Sequence, residues 1–563
     1  MSSFDDDADS VEIISENEQE EEDNGETSFD DEEVKFTEEC EVCSELTKNV
    51  LEINRRHKAT ERQYSIPAAL IEHSFELEVE EQCAVRLTFD VGTLPEGTRF
   101  AWELAEVSTI TLCLSKIHKA NFRRMHAKPR IFTYRDFEET PSNFVVGTAL
   151  KNTAINYLEI SYTVNDNEPE DPTYFLGLYE FLRSRLSTLS EFCFICSNPL
   201  SRPGFMLSLC DSELCTYQYD ELDMFADASL VPRVSAEVLA LLLFAFFNAS
   251  KARKPDIAFQ PAPKIRNEGA FVEDLLKMDK NAIGTDFKKL NNFGTTEYQM
   301  KKAWEVLEQN LQCPMELFQS SESYGIFRNN YKEIARLVEW IIVSNTAYIE
   351  HLGGAEIIDH FRTPHQFLFV NDSKAKAAEF SELVNRNKGR TKLLFHGSPT
   401  ENWHSIIRRG LKNMSGTRGQ LNGAAYGAGI YMSGLLQTSM GYAYSTSSLY
   451  RKACADKKGC CYSSAAPMKN MDRDRFSHMG TGYSIVAVVE VVDTPEAFAH
   501  RPDDENIVVV KDEKWCTIRM LLLFDSASSQ RSVSPNVSLS KAPASVFNAI
   551  KEARMRRFHE PTR

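Results

Sequence analysis

Two groups of side chains in this sequence combine reactive types with spacings that could bring them to one place. The first opens at Leu393-Leu394-Phe395-His396-Gly397-Ser398, an apolar run that delivers a histidine and then a glycine. A strand ending in this way offers a ligand a ring nitrogen beside closely approaching backbone. A histidine after a strand also serves as an ordinary structural residue. Thirty residues after His396 stands Tyr426, opening Tyr426-Gly427-Ala428-Gly429-Ile430-Tyr431-Met432-Ser433, and Tyr442 lies eleven residues beyond Tyr431. The glycines could cradle a phosphate, but the full G-x-G-x-x-G spacing and its flanking strand and helix are missing, which argues against a Rossmann site. The plain alternative is a glycine turn feeding an aromatic core strand.

The second group is Cys193-x2-Cys196, thirteen residues, then Cys210-x4-Cys215. Two close pairs of thiols can wrap one tetrahedral Zn²⁺, although the second pair is wider than the usual two-residue knuckle. Buried free thiols in a packed unit are the alternative. Cys40-x2-Cys43 has no second pair nearby and reads as ordinary. Vicinal Cys460-Cys461 fall in a stretch of little periodicity, residues 451–479, expected to be a surface loop in which thiols could accept self-modification.

These residues need elements to hold them, and the chain is long enough, at 563 residues, for several folded units. The predicted class is multidomain α+β. Residues 1–60 form an acidic disordered arm; residues 65–165 alternate apolar and polar positions around Gly92, Pro95 and Gly97 and read as a small α+β unit. Residues 185–225 make the cysteine-rich module. Residues 230–355 read as helical, with Tyr331 to Leu352 as one long amphipathic stretch stopping at Gly353-Gly354. Short apolar strands and glycine turns over residues 360–530 predict a β-rich domain, followed by a linker and C-terminal helix over 531–563. The basic Arg554 to Arg557 is too short for a nucleic-acid patch and suits a helix end.

Composition narrows the classes further. With 42% hydrophobic and 10% aromatic residues, most of the chain should fold. Sixteen acids and no Lys or Arg lie between Met1 and Glu33; removing them leaves −3 of the −19 net charge. That is an ordinary balance, and with no long basic stripe, direct nucleic-acid binding is not expected. The longest apolar run, Val238 to Phe247, is about half of what a bilayer requires, so it predicts a buried helix and no membrane span. The N-terminus has no basic leader before an apolar stretch, so a secretory signal is not expected. Thirteen cysteines then point to a reducing compartment, cytoplasm or nucleus.

His396-Gly397-Ser398, the Glu401-Asn402-Trp403-His404-Ser405-Ile406 helix, the Gly423-Ala424-Ala425-Tyr426-Gly427-Ala428-Gly429-Ile430-Tyr431 strand and Tyr442 together resemble the signature of PARP-type, diphtheria-toxin-like ADP-ribosyltransferases. The likeness runs from about His365 to Asp525. It is greatest to the mono-ADP-ribosylating paralogues numbered six and eight, which share an ENWHSI-like helix and a late strand resembling Trp515-Cys516-Thr517, and it extends upstream to the Leu337 to Leu352 helix and the cysteine cluster.

The resemblance implies an ADP-ribosyltransferase fold with NAD⁺ as co-substrate. Gly397 would hold the nicotinamide amide through its backbone with Ser398 assisting, leaving His396 to hydrogen-bond the adenosine-side ribose. Tyr431 and Tyr442 would flank the nicotinamide ring, Tyr442 by stacking; Tyr426 would belong to the same NAD⁺-binding set, and Ser439 would bring a hydroxyl near the amide. Flat rings stack well on aromatics, and gripping the amide fixes which bond is strained. The implied reaction breaks the nicotinamide–ribose bond through an oxocarbenium-like transition state before a protein nucleophile attacks the sugar. Because the leaving group departs neutral, positioning and electrostatics carry the acceleration, and no catalytic metal is called for.

Polymerising relatives place a Glu at the start of a late strand, where it polarises a ribose hydroxyl. Aligning that strand with Cys516 to Asp525 puts Met520 or a neighbour there, so His396, Tyr431 and Met520 form the expected catalytic set. The absent carboxylate predicts transfer of a single ADP-ribose to protein acceptors, with self-modification among the expected reactions. The alternative is an NAD⁺-binding or interaction scaffold without turnover. A zinc-stabilised nucleic-acid binder is disfavoured by the acidic balance.

Overall fold

The computed structural model describes residues 75–79, 83–117, 130–135, 145–164, 174–212, 214–215, 218, 234–252, 254–265, 267–278, 303–304, 306–308, 311, 321–420, 425–443, 483–525, 537–540 and 544–558. The acidic arm, Cys40, Cys43, Gly423, Ala424 and the stretch holding Cys460-Cys461 lie outside the described residues.

Strands β1 (Phe75–Val79) and β2 (Cys83–Asp90), helix α1 (Glu96–Ala101), then strands β3 (Thr109–Ile117) and β4 (Arg130–Arg135) form the first unit. Its sheet is an antiparallel meander in the order β1-β2-β3-β4. Leu87 and Phe89 on β2 and Ile110, Leu112 and Leu114 on β3 are buried at the two-residue period of a pleated strand. Helix α2 (Val145–Val164) carries Val146, Ala149, Leu150 and Ala154 into the same core. Helix α3 (Tyr174–Leu186) adds Leu178, Leu182 and Leu186, one apolar stripe at helical spacing that leads into the cysteine segment.

Helix α4 (Ala236–Ser250) begins where the Ser235 hydroxyl accepts from Val238 N, and every residue from Val238 to Ser250 is buried. This is the apolar run read from the sequence, and no described helix is long and apolar enough to cross a membrane. Helix α7 (Lys332–Val343) packs against it, and helices α5 (Glu268–Met278) and α6 (Ser321–Asn330) pack against α7. The buried Glu339 of α7 accepts from Tyr324 Oη at 2.7 Å and from Arg328 Nε at 3.0 Å, so its charge is paired.

Here the structure corrects the reading of Tyr331 to Leu352 as one helix. Helix α7 stops at Val343, and residues Tyr348–Leu352 form strand β5. At the break, Asn345 Oδ1 accepts from Ala347 N at 3.2 Å while its Nδ2 donates to Ala347 O at 2.7 Å, and Ser344 Oγ donates to Ile341 O. Such side chains offer the backbone an alternative to helical bonding. All five residues of β5 then pair with β6 (His365–Val370), so the C-terminal sheet begins before residue 360.

The remaining elements are α8 (Lys374–Arg386), β7 (Thr391–Gly397), α9 (Trp403–Arg409), β8 (Ile430–Met432), α10 (Leu436–Met440), β9 (Tyr483–Val492), β10 (Phe498–His500), β11 (Val508–Val510), β12 (Cys516–Asp525) and α11 (Ala544–Phe558). They build a five-stranded antiparallel sheet, β5-β6-β12-β9-β7, and a three-stranded one, β10-β11-β8. The sheets are joined where Phe395 and Ser433 exchange both backbone hydrogen bonds, at 2.7 and 2.9 Å. Alternate residues of the larger sheet feed two cores. One face packs Leu394, Ala487, Val489, Leu521 and Leu523 with α4 and Trp403 of α9; the other packs Phe395, Val486, Val488, Met520 and Leu522 beneath Val546, Ile550 and Ala553 of α11. Arg554 is buried in this second face and donates to Phe369 O at 3.2 Å, so its part of the basic end covers the sheet. The chain is thus mixed helix and sheet, with a sheet-rich C-terminal region.

Candidate active site

Strand β7 is bonded to β9 along its whole length, with His396 opposite Ala487 and Gly397 opposite Val486. This fixes the end of the strand as an outlet of the sheet. His396 Nδ1 lies 2.8 Å from the backbone oxygen of Tyr431. A carbonyl only accepts, so Nδ1 carries the proton. Burial pushes the His396 pKa down against the opposing pull of that carbonyl, so the ring is neutral at pH 7. Nε2 therefore bears a lone pair and can accept a hydroxyl. The next corner is held by α9, where Trp403 Nε1 donates to Ser398 O at 3.1 Å and Asn402 Nδ2 donates to Ser398 Oγ at 2.9 Å.

Gly397 is required by close approach. A Cβ at this position would sit 2.7 Å from the Ser439 carbonyl carbon and closer still to its oxygen. Helix α10 is therefore pressed against the end of β7, and the buried Ser439 hydroxyl donates to Phe395 O at 3.0 Å. The same Ser439 oxygen accepts from Tyr442 N at 3.1 Å, which ties Tyr442, with a side chain 38% exposed, to the Gly397 corner.

The glycine-rich segment, expected as a strand from Gly423, is a turn through its described residues Ala425 to Gly429, and only Ile430–Met432 is strand. A Cβ on Gly429 would meet Val509 Cγ1 at 2.6 Å, so the turn enters the strand hard against β11. Strand β8 pairs with β11, Tyr431 opposite Val509. The Tyr431 hydroxyl donates to Gly427 O at 2.9 Å and accepts from Tyr426 N at 3.1 Å, locking the phenol across the turn. The Tyr426 ring stacks on His500, centroids 4.5 Å apart, and stands 44% exposed. His396, Gly397, Ser398, Tyr431, Ser439 and Tyr442 are thus linked through direct contacts, whereas Tyr426 joins them through its backbone and commits its ring to His500.

Met520 does not reach this cleft. It is fully buried on β12 between Leu368 of β6 and Val488 of β9, on the core face shared with Phe395, opposite to the face that takes up Leu394 and Ala487. The strand whose start approaches the cleft is β11, because β11 and not β12 pairs with the tyrosine strand. Asn506, just before β11, accepts from Thr438 Oγ1 at 2.6 Å, one residue from Ser439. The neighbouring Glu505 is only 8% exposed and is engaged elsewhere by Lys392, by Arg501 at 3.4 Å and by Ser540 Oγ at 2.7 Å. The sequence reading did not single out Asn506, because two late apolar strands compete for one alignment and only the pairing of β8 with β11 distinguishes them.

The cysteine segment closes into a cluster. The four sulfurs of Cys193, Cys196, Cys210 and Cys215 all lie within 4.8 Å of one another, and Cys196 and Cys210 are 3.8 Å apart. A tetrahedron with Zn–S bonds of about 2.3 Å has sulfurs separated by about 3.8 Å, so the donor set fits Zn²⁺. The knuckle is prebuilt by α2: Asn152 Nδ2 donates to Phe194 O at 2.8 Å and Asn156 Nδ2 to Cys196 O at 2.9 Å. Burial, then the neighbouring Cys193, pushes the Cys215 thiol up to about 12.

Residues 333–454 match the family model described as the poly(ADP-ribose) polymerase catalytic domain. Over 352 residues the chain is 26% identical to protein mono-ADP-ribosyltransferase PARP8 of Mus musculus, covering 62% of this chain and 39% of that protein. Over 275 residues it is 28% identical to protein mono-ADP-ribosyltransferase PARP8 of Homo sapiens, covering 48% of this chain and 30% of that one. The chain thus spans well under half the length of the curated relatives it matches. The segment that matches this family model contains His396, Gly397, Tyr431 and Tyr442, the residues that the sheet, α9 and α10 bring together.

Proposed function

We propose that this chain is an NAD⁺-dependent protein mono-ADP-ribosyltransferase that transfers one ADP-ribose to a protein side chain and releases nicotinamide. The observation that carries this reading is the 2.8 Å bond from His396 to the Tyr431 backbone. It makes one unit of the residue that presents an acceptor nitrogen for a ribose hydroxyl and the residue whose ring flanks the nicotinamide. The Gly397 backbone and Ser439 then grip the carboxamide, and Tyr442 covers the opposite ring face. The sugar–nitrogen bond breaks with both electrons leaving on nicotinamide, so positioned dipoles, not proton transfer, lower the barrier.

Single-unit transfer is supported by the side chain at the start of β11. Asn506 offers a neutral amide bonded to Thr438, and the Glu505 carboxylate is held by Lys392, Arg501 and Ser540. Neither supplies the free carboxylate that would ready a bound ADP-ribose for extension. We further assign the four cysteines to one structural Zn²⁺ that braces the knuckle. Cytoplasm or nucleus, where thiols stay reduced, is the compartment this implies.

Incubation with labelled NAD⁺, resolved by size, tests the reading. A single labelled band on an acceptor or on the chain itself is expected, and Tyr431→Ala should abolish it. A ladder of products contradicts single-unit transfer; wild-type labelling in Tyr431→Ala means the pocket is wrong, and no label in the wild type favours a scaffold.

A further inference from the structure

We propose that the cavity between the cysteine knuckle and helix α9 binds a small phosphoryl anion, a phosphate monoester or free phosphate, through Arg202, Ser208 and Arg408. This site lies apart from the nicotinamide cleft. The cavity measures about 280 Å³, more than a bare phosphate fills, and its walls include Arg202, Ser208, Lys264, Trp340, Thr346 and Arg408.

Hydrogen-bonding capacity on these walls is left over. Among the described residues, Ser208 Oγ and Arg202 Nη1 are buried and make no hydrogen bond. Ser208 is 1% exposed, so its hydroxyl is shut off from bulk solvent and faces only the cavity region. Arg408, also 1% exposed, donates only to neutral acceptors: Ser344 Oγ at 3.1 Å, Ile341 O at 2.9 Å, and His404 O and Nδ1 at 3.3 and 3.0 Å. A buried guanidinium without a carboxylate is costly. Burial, and then repulsion by Arg202, pushes the Arg408 pKa down to about 9, while His404 beside it is held neutral. Among the described residues, the only carboxylate on the cavity wall is Asp211, which pairs with Arg202 from a side chain 57% exposed, so most of its field is screened.

The excess is therefore positive charge plus a donor hydroxyl on the walls of one cavity. A phosphoryl group answers both, since its oxygens accept from guanidinium forks and from a hydroxyl. Trp340 with Pro261 and Pro263 on the wall provides an apolar surface for the organic part of a monoester. Cys210 also borders the cavity, and Ser208 makes no bond to its sulfur.

Equilibrium dialysis of the zinc-replete full chain against labelled orthophosphate and ribose 5-phosphate, at ionic strength held with chloride, tests the proposal. Saturable binding is expected; tighter binding of ribose 5-phosphate identifies a monoester as the ligand, and equal affinity identifies free phosphate. Ser208→Ala and Arg202→Gln should each weaken binding at least tenfold. Ser208→Ala deletes a hydroxyl that bonds nothing, so it should keep the wild-type melting temperature in phosphate-free buffer and serves if Arg202→Gln does not fold. Non-saturable uptake, wild-type affinity in Ser208→Ala, or displacement by NAD⁺, which would put the anion in the cleft, overturns it.

Discussion

Gly397→Ala tests the positioning argument most directly. The added Cβ would lie 2.7 Å from the Ser439 carbonyl carbon, whereas unstrained carbon contacts begin near about 3.5 Å. Strand β7 and helix α10 must therefore separate by at least roughly 0.8 Å, and by more to clear the nearer oxygen. Neither side yields easily. Strand β7 is held by β9 and by both Phe395–Ser433 bonds, and α10 is anchored by Leu436 N donating to Val537 O at 3.0 Å and by Ser439 Oγ on Phe395 O. Overpacking of this kind costs about 1–3 kcal/mol, which leaves a folded protein. Displacement on the ångström scale of groups that orient a substrate costs about a hundredfold in rate. The assay is the initial rate of label incorporation from NAD⁺ beside a denaturant titration, with Gly353→Ala as control. A Cβ at Gly353 meets nothing within 4 Å, so that variant should stay within about twofold of wild type. If Gly397→Ala turns over at the wild-type rate, the backbone at this corner does not position the nicotinamide.

The other expectations concern separate parts of the molecule. Met520→Leu, a volume-conserving change in a closed core, should alter stability by less than about 1.5 kcal/mol and leave labelling near wild type; a catalytic loss without destabilisation would return Met520 to the site. His396 and His404 both have folded pKa values depressed by burial, so the unfolded chain binds more protons, and stability present above the ordinary histidine range should be lost as pH falls below about 6.5. Urea midpoints at pH 7.5 and 5.5 measure this, and equal midpoints contradict neutral buried rings. The chain should carry about one equivalent of zinc, measured by elemental analysis, and Cys193→Ser should lose both the metal and part of the stability; full zinc content in that variant means that the cluster does not hold it.

How much could be read before folding depended on whether a signal was local. Val238 to Phe247 announced a buried helix because apolar residues on every side leave no solvent face, and the cysteine pairs announced a cluster because thiols three residues apart already converge within a turn. The segments His396-Gly397-Ser398 and Tyr431 to Tyr442 stood out as candidates because they match a family signature in order and spacing, and the fold brings them into contact. Partnership across the sheet was not legible. Periodicity carried the expected helix through to Leu352 because it records which positions are apolar and not what they pack against; Asn345 and the free edge of β6 decided that Tyr348–Leu352 is strand. The same limit applies to the third expected site residue, Met520. Two apolar strands near the C-terminus look alike in one dimension, and only the pairing of β11 with β8 brings Asn506 to α10 while β12 buries Met520. Arg408 lies two hundred residues after Ser208 and its neighbour Arg202, so their shared cavity exists only after the knuckle closes on α9. Sequence determined what each segment could do, and long-range packing decided which segments do it together.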